Sequence, residues 1–170
     1  GFQFAGSGNF TGATSDYQTL WRKPTTGVMI LETISPPTGT RGGSMLPTTR
    51  SEWKVIGTSD FNGDGITDIL WQDTTNGEIR IWVMTSGGAV RTEYPLVGGG
   101  GSELATVGVG DFDGDGTSDF LMRYASTGDV HLIKMNRGSI TEVTYVGYPR
   151  ELLFDPEDGE EKTAYLYPPR

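Results

Sequence analysis

Two acidic loops of this chain have residue types and a spacing that could hold a hard metal cation. They read DFNGDGITD at 60–68 and DFDGDGTSD at 111–119. Side-chain oxygens recur at positions 1, 3, 5 and 9, and glycine stands at position 6, as in a calcium-binding loop. Alternate residues of such a curled loop converge on one ion. The candidate ligands are Asp60, Asn62, Asp64 and Asp68 in the first loop and Asp111, Asp113, Asp115 and Asp119 in the second.

Two further positions of each loop refine the prediction. Position 7, which is Ile66 or Thr117, is expected to offer its backbone carbonyl to the ion. Position 12, where a helical calcium-binding motif has a bidentate Glu, is Trp71 or Met122 inside a predicted strand. The sequence therefore predicts two Ca2+ sites in loops without flanking helices. The alternative is a pair of Asp-Gly turns that hold no metal.

The charge within these loops also favours a bound cation. Together they contain seven carboxylates, which repel one another strongly without a counter-ion. The corresponding loop near the N-terminus reads NFTGATSD, with Asn9, Thr11 and Ala13 at the ligand positions and Asp16 as its only carboxylate. We expect this loop to be one residue shorter than the other two and to bind no metal.

The acidic loops belong to an internal repeat. Gly6, Gly57 and Gly108 are 51 residues apart, and each precedes a Phe at the same distance. A second run repeats farther on, as LWRKPTTG, LWQDTTNG and LMRYASTG. Repeats of this length are typical of propellers and solenoids. The predicted units span about 2–50, 53–100 and 104–149, with an acidic, Tyr- and Pro-containing tail at 151–170.

Each unit reads as four short strands separated by turns. In the second unit the third strand has Ile79 and Ile81 on one face and Trp82 and Met84 on the other, so both faces of the sheet must be covered. This pattern predicts an all-β fold of four-stranded antiparallel meanders, the form of β-propeller blades. A β-sandwich is the competing interpretation, and the strict repeat argues against it.

Composition excludes several functions. The net charge of −9 makes nucleic acid an unexpected partner, because phosphate binding needs a basic face. Membrane insertion is not expected, since no run of about 18 apolar residues occurs. Cysteine is absent, which removes thiol chemistry. The single histidine, His131, is interpreted as an ordinary strand residue, so no catalytic residues are predicted and the chain is not expected to be an enzyme.

Aromatic residues favour a binding function instead. Trp21, Trp53, Trp71 and Trp82 could stack on sugar rings in shallow sites between blades, although Trp21 and Trp71 stand at equivalent repeat positions, which favours a core role for both. Tyr94, Tyr124 and Tyr148 are further candidates. The tail is interpreted as a solvated, poorly ordered end, and the alternative is an arm that docks through Tyr165, Leu166 and Tyr167.

At these residues the chain resembles the FG-GAP/VCBS repeat family. The second and third units follow its pattern of V-G, D-F, a G-D-G acidic loop, an apolar strand and a T/N-G turn, whereas the first unit departs from it in the loop. The family forms propeller blades in integrin α subunits and in secreted bacterial and fungal proteins, among them lectins. The resemblance implies that the eight loop residues are calcium ligands and that the protein is extracellular or periplasmic.

Three blades do not close a ring, because propellers usually have about four to eight. The chain could pair with a second copy into a six-bladed homodimer, belong to a longer chain, or cover one open face with its tail. Two functions are consistent with these features. One is a calcium-stabilised module that binds a carbohydrate or a protein, and the other is a structural segment of a larger secreted enzyme or toxin.

Overall fold

The computed structural model describes residues 1–13, 15–36, 38–97, 103–147, 151–154 and 161–164. The side chains of 92–97 and of the last two ranges lie outside the described part of the chain, as do Tyr148, Tyr165, Leu166 and Tyr167. Every regular element in the described residues is a β-strand, which confirms the all-β prediction. None of the described segments forms a helix with the length and apolar character that crossing a membrane requires.

Three four-stranded antiparallel sheets follow one another along the chain, each with its strands in sequence order, and they confirm the predicted blades. Blade 1 contains β1 (Gln3–Ser7), β2 (Tyr17–Lys23), β3 (Val28–Ser35) and β4 (Thr40–Leu46). Blade 2 contains β5 (Trp53–Ser59), β6 (Asp68–Asp73), β7 (Ile79–Met84) and β8 (Val90–Val97). Blade 3 contains β9 (Leu104–Gly110), β10 (Asp119–Tyr124), β11 (Val130–Asn136) and β12 (Ser139–Gly147).

The tail contains a pair of strands that was not predicted from the sequence. β13 (Glu151–Phe154) and β14 (Glu161–Ala164) form a separate two-stranded antiparallel sheet, with Glu151 opposite Ala164. The backbone of these eight residues is therefore paired, which differs from the expected poorly ordered end.

The turn between the second and third strands is the same in all three blades. Gly27, Gly77 and Gly128 have φ angles of 67°, 75° and 75°, a left-handed conformation that favours glycine. Each donates its N–H over 2.8 Å to the carbonyl four residues earlier. The repeated T/N-G sequence is therefore the signature of one hairpin geometry.

The hydrophobic core lies between the blades rather than within any one of them. We call the face of a blade that packs on the next blade its trailing face, and the opposite one its leading face. One core cluster joins the trailing face of blade 1 to the leading face of blade 2, through Phe10, Leu20, Met29, Leu31, Leu46, Trp53, Ile69, Trp71, Trp82 and Met84. The second joins blades 2 and 3 in the same way, through Phe61, Leu70, Ile79, Ile81, Val83, Leu104, Phe120, Met122, Ile133 and Met135.

The repeated glycines set how closely the blades approach. A Cβ on Gly57 would lie 2.7 Å from Val109 Cγ2 of the next blade, and one on Gly6 would meet Thr58. Gly108 of blade 3 has no following blade in the described structure, and the nearest atom to its Cβ position is Leu121 Cδ1 of its own blade, at 3.4 Å. The glycine is thus required by packing in the first two blades.

Among the described residues, no further blade packs on the trailing face of blade 3. Phe112 is 48% exposed, whereas the equivalent Phe10 and Phe61 are fully buried. The leading face of blade 1 is more polar than its equivalents in the other blades. Glu32 stands there at the position of Trp82 and Ile133, and it pairs with Arg41 at 3.3 Å.

Candidate metal centre

Each acidic loop connects the first two strands of its blade at the same edge of the sheet. The loop of blade 2 joins β5 to β6, and the loop of blade 3 joins β9 to β10. The register places Ser59 opposite Asp68 and Gly110 opposite Asp119, so each loop closes on paired strand ends. The strand ends therefore hold the two ends of the acidic segment a short distance apart.

Three carboxylates of the blade 3 loop converge in a way that suits a cation. Asp111, Asp113 and Asp115 each offer one oxygen, and these oxygens lie within 4.8 Å of one another. All three residues are exposed, so an ion can reach them from solvent. Carboxylate oxygens are the ligands that Ca2+ prefers, and the three residues occupy positions 1, 3 and 5 of the predicted loop.

Backbone hydrogen bonds to the acidic side chains give this loop its shape. The two oxygens of Asp111 accept the N–H groups of Gly114 and Gly116, at 2.7 and 3.0 Å. The N–H of Asp115 donates to Asp113 Oδ1 at 3.2 Å, and the N–H of Thr117 donates to Asp115 Oδ1 at 2.7 Å. Such bonds are typical of Asx turns, and they curl the chain so that alternate side chains turn inward.

The blade 2 loop repeats this scaffold with one fewer carboxylate. Asp60 accepts the N–H groups of Gly63 and Gly65, at 2.6 and 2.7 Å. The N–H of Asp64 donates to the amide oxygen of Asn62 at 2.9 Å, and the N–H of Ile66 donates to Asp64 Oδ1 at 2.9 Å. Both loops therefore present equivalent oxygens at positions 1, 3 and 5, although Asn62 contributes an uncharged one.

The aspartate at position 9 has a different environment in both loops. Asp119 is fully buried, and its two oxygens accept the N–H groups of Phe112 and Met135, at 3.0 and 2.8 Å. Asp68 is also fully buried and binds the N–H groups of Phe61 and Met84 in the same manner. These carboxylates connect each loop to the third strand of its blade. Each oxygen keeps a second lone pair, so a metal contact remains compatible with these bonds.

Burial raises the pKa of Asp68 to about 7, and the negative charges of Asp64 and Asp60 act in the same direction. The hydrogen bonds from Met84 and Phe61 oppose this shift without cancelling it. The metal-free fold therefore loses stability as the pH rises from about 4 to about 7, because the unfolded chain releases a proton from this carboxyl group that the native state retains. A nearby cation favours the ionised form of such a group.

A lysine lies beside the blade 3 carboxylates. Lys134 Nζ is 3.7 Å from Asp113 Oδ2 and 3.0 Å from Glu142 Oε2. The hydrogen bond to Glu142 and its charge raise the pKa of Lys134, with a smaller contribution from Asp113. Asn136 Nδ2 also donates to Asp115 Oδ2 at 3.0 Å. The third strand of the blade thus supplies charge and hydrogen bonds to the loop from one side.

The acidic loops also bind the neighbouring blades. The N–H of Ser118 in the blade 3 loop donates to the carbonyl of Asp60 at 2.8 Å, and the N–H of Thr67 in the blade 2 loop donates to the carbonyl of Asn9 at 2.9 Å. The hydroxyls of Ser59 and Ser118 lie 2.6 Å apart. Each loop is therefore built into the contact between consecutive blades.

The structure corrects the predicted length of the first loop. Gly8 N–H donates to the carbonyl of Gln18, so Gln18 takes the place of Asp68 and Asp119, and the loop from Asn9 to Gln18 is one residue longer than the others rather than shorter. Gln18 is buried and its side chain exchanges hydrogen bonds with Thr11. Asp16 instead contacts Ser15 at 3.5 Å. The inserted residue could have been found from the sequence, because it lengthens the interval between the glycine of the first strand and the start of the second strand.

The tryptophans and the histidine considered in the sequence analysis differ in how deeply they are buried and in what they contact. Trp71 is buried in the first core cluster. Trp21 is half-buried on the leading face of blade 1 and donates to Thr19 Oγ1 at 3.0 Å. His131 lies between the rings of Tyr124 and Tyr145, with centroid distances of 5.6 and 5.4 Å. Trp53, Trp71 and Trp82 line one cavity of about 200 Å³, an arrangement that was not predicted from the sequence.

The sheets and their acidic loops define a class of protein: a repeat protein made of propeller-type blades. Comparison with known families gives a match to part of the chain. Residues 60–122, from the blade 2 loop to β10, match the family model described as the FG-GAP-like repeat. This match confirms the resemblance to the FG-GAP/VCBS family over that stretch. The search of curated proteins gave no match to the chain.

We predict that Asp119→Ala destabilises the protein without any metal present. The substitution leaves the N–H groups of Phe112 and Met135 without their acceptor, and each unsatisfied buried group costs about 1–3 kcal/mol. Urea unfolding in EDTA measures the loss, and Asp16→Ala is the control because, among the described residues, the only hydrogen bond of that side chain is to its neighbour Ser15. Equal unfolding free energies for the two variants would show that the position 9 carboxylate does not hold the loop to the blade.

Proposed function

We propose that this protein is a non-catalytic, calcium-stabilised propeller module of the extracellular or periplasmic space that binds a carbohydrate or a protein. The observation that carries the proposal is the convergence of Asp111, Asp113 and Asp115 in a loop that also joins consecutive blades. An ion at that place would act on the fold as a whole, because it would stabilise a contact on which the core depends.

Calcium would hold two loops of the same construction. In blade 2 the ligands would be Asp60, Asn62, Asp64 and Asp68 with the carbonyl of Ile66, and in blade 3 Asp111, Asp113, Asp115 and Asp119 with the carbonyl of Thr117. Support comes from the matching Asx-turn bonds in the two loops. It also comes from the family, whose repeats often bind calcium.

A binding role without catalysis agrees with the surroundings of the polar residues. The carboxylates at position 1 of the two loops accept backbone N–H groups of their own loops, which is a structural role. His131 packs edge-on against two tyrosines. FG-GAP repeats are generally non-catalytic and are typical of extracellular proteins, which favours the same role and location.

The second candidate function is a structural segment of a larger secreted enzyme or toxin. The uncovered trailing face of blade 3 favours a further blade next to it, because the same face is buried in blades 1 and 2.

A second copy of the chain could supply that blade and close a six-bladed ring. Glu32 and Arg41 on the leading face of blade 1 would then have to be accommodated in the new contact.

Calorimetric titration with calcium is expected to show two ions per chain and a higher melting temperature when they are bound. Asp115→Ala and Asp64→Ala should each remove one ion, since each deletes a carboxylate from one loop. Asp16→Ala should keep both ions. A protein whose melting curve is the same in EDTA and in calcium would contradict calcium stabilisation.

A glycan array probed in calcium tests the binding function. We expect the protein to retain a defined set of sugars, and we expect EDTA to weaken the signal because the blades then lose their stabilising ions. An array without any bound sugar would rule out the carbohydrate form of the proposal and would direct the search to protein ligands.

Light scattering tests the six-bladed ring. We expect a mass near twice 18.4 kDa for the natural chain in calcium. Gly108→Leu should give the monomer, because the leucine side chain would occupy the space that an incoming blade needs. Val109 of blade 3 fills the equivalent space next to Gly57 of blade 2. A natural chain of 18.4 kDa, or a Gly108→Leu variant that still dimerises, would rule out this ring.

A further inference from the structure

A cavity between blades 1 and 2 has the composition of a binding site. It has a volume of about 200 Å³, roughly that of one sugar ring, and it is lined by the segment 48–50 together with Trp53, Trp71, Arg80 and Trp82. Trp71 and Trp82 lie with ring centroids 4.8 Å apart, and the Arg80 guanidinium lies 4.8 Å from the centre of the Trp53 ring. Aromatic rings and guanidinium groups therefore line one small space.

Arg22 adds a positive charge directly behind the cavity. It is only 6% exposed, and its guanidinium donates to the carbonyl of Arg50 at 2.9 Å and to Thr49 Oγ1 at 3.4 Å, both residues of the lining. Among the described residues no carboxylate pairs with it. A buried charge without a counter-ion is costly, and desolvation correspondingly lowers its pKa. An anion in the cavity would compensate this charge.

An unused hydrogen-bond donor is found at the same place. The indole Nε1 of Trp71 is buried and has no hydrogen-bond partner in the described structure, although Trp71 lines the cavity. Buried polar groups nearly always have a partner, so an unsatisfied donor next to a cavity indicates a missing acceptor. A hydroxyl or carboxylate oxygen of a ligand would satisfy it.

The cavity is not required for blades to stack. In blade 3 the positions equivalent to Trp53, Trp71 and Trp82 are Leu104, Met122 and Ile133, and these residues are also buried against blade 2. The position of Arg22 is Gln72 in blade 2, where Gln72 Nε2 donates to the carbonyl of Leu104 at 2.8 Å. An uncharged residue can therefore make the interblade hydrogen bond, and the charge and the tryptophans need another explanation.

We propose that this cavity binds an acidic monosaccharide unit, a sugar ring that carries a carboxylate. The carboxylate would compensate the charge of Arg22 behind the cavity, the tryptophans would contact the apolar edge of the ring, and Trp71 Nε1 would donate to a ring substituent. The proposal rests on the carbohydrate-binding form of the proposed function and narrows it to one ligand class and one site.

Arg22→Gln is the variant that tests this site, because it removes the charge and because Gln72 stands at the equivalent position of blade 2, where it donates to a main-chain carbonyl of the next blade. Calorimetry would use glucuronic acid and N-acetylneuraminic acid as acidic probes and glucose as the neutral probe. We expect the acidic sugars to bind the natural protein, and Arg22→Gln to weaken them at least about 10-fold without changing the melting temperature. Arg123→Gln, at the equivalent exposed position of blade 3, is the control and should bind like the natural protein.

Trp53→Leu provides a second variant, chosen because Leu104 is the equivalent residue of blade 3, and it should also weaken the acidic sugars at least about 10-fold. Binding of glucose with equal strength, or acidic sugars that bind Arg22→Gln as tightly as the natural protein, would overturn the site while leaving a carbohydrate-binding function in place. Equal binding of a glutamate-rich peptide at this site would overturn the sugar class. A glycan array without any bound sugar would remove the carbohydrate form of the proposed function and this inference together, and it would leave the protein-binding form in place.

Discussion

A blade of four strands has two apolar faces and no core of its own, and the rest of the structure depends on this constraint. Ile79 and Ile81 point to one neighbour of blade 2, while Trp71 and Met84 point to the other. Both described clusters accordingly lie at contacts between blades. The stabilising free energy of hydrophobic burial is proportional to the apolar area removed from water. The stability of the protein therefore comes from the stacking of blades and increases with each blade that is added.

The acidic loops depend on the same stacking. Their carboxylates are costly to bring together, and Asp68 in particular lies fully buried near Asp60 and Asp64. The structure accommodates them because backbone N–H groups of the loop and of the third strand converge on their oxygens, and because Ser118 and Thr67 tie the loops to the preceding blade. Charge and packing are thus coupled at one edge of the stack, where an ion would influence both.

Departures from the repeat show where the three blades have different roles. Gln18 replaces the buried aspartate in blade 1, and Glu32 replaces an apolar residue on the leading face of that blade. At the contact between blades 1 and 2, tryptophans replace aliphatic residues, and Arg22, which has no carboxylate partner among the described residues, replaces an uncharged one. Stacking tolerates aliphatic and uncharged residues at the equivalent positions between blades 2 and 3, so folding alone does not require these differences.

The repeat, the strand-rich class, the hairpin glycines and the spacing of the acidic loops can all be predicted from the amino-acid sequence. These features are local: a left-handed turn needs Gly77, and alternate oxygens at 111, 113 and 115 need only a curled segment. The tertiary structure decided what the pattern could not reveal. It placed Asp119 against the N–H of Met135, brought Trp53, Trp71 and Trp82 around one cavity, and left Arg22 buried beside it. Such arrangements join residues that are far apart in the chain, and they arise only when blades pack together, because packing rather than spacing sets which groups lose contact with water.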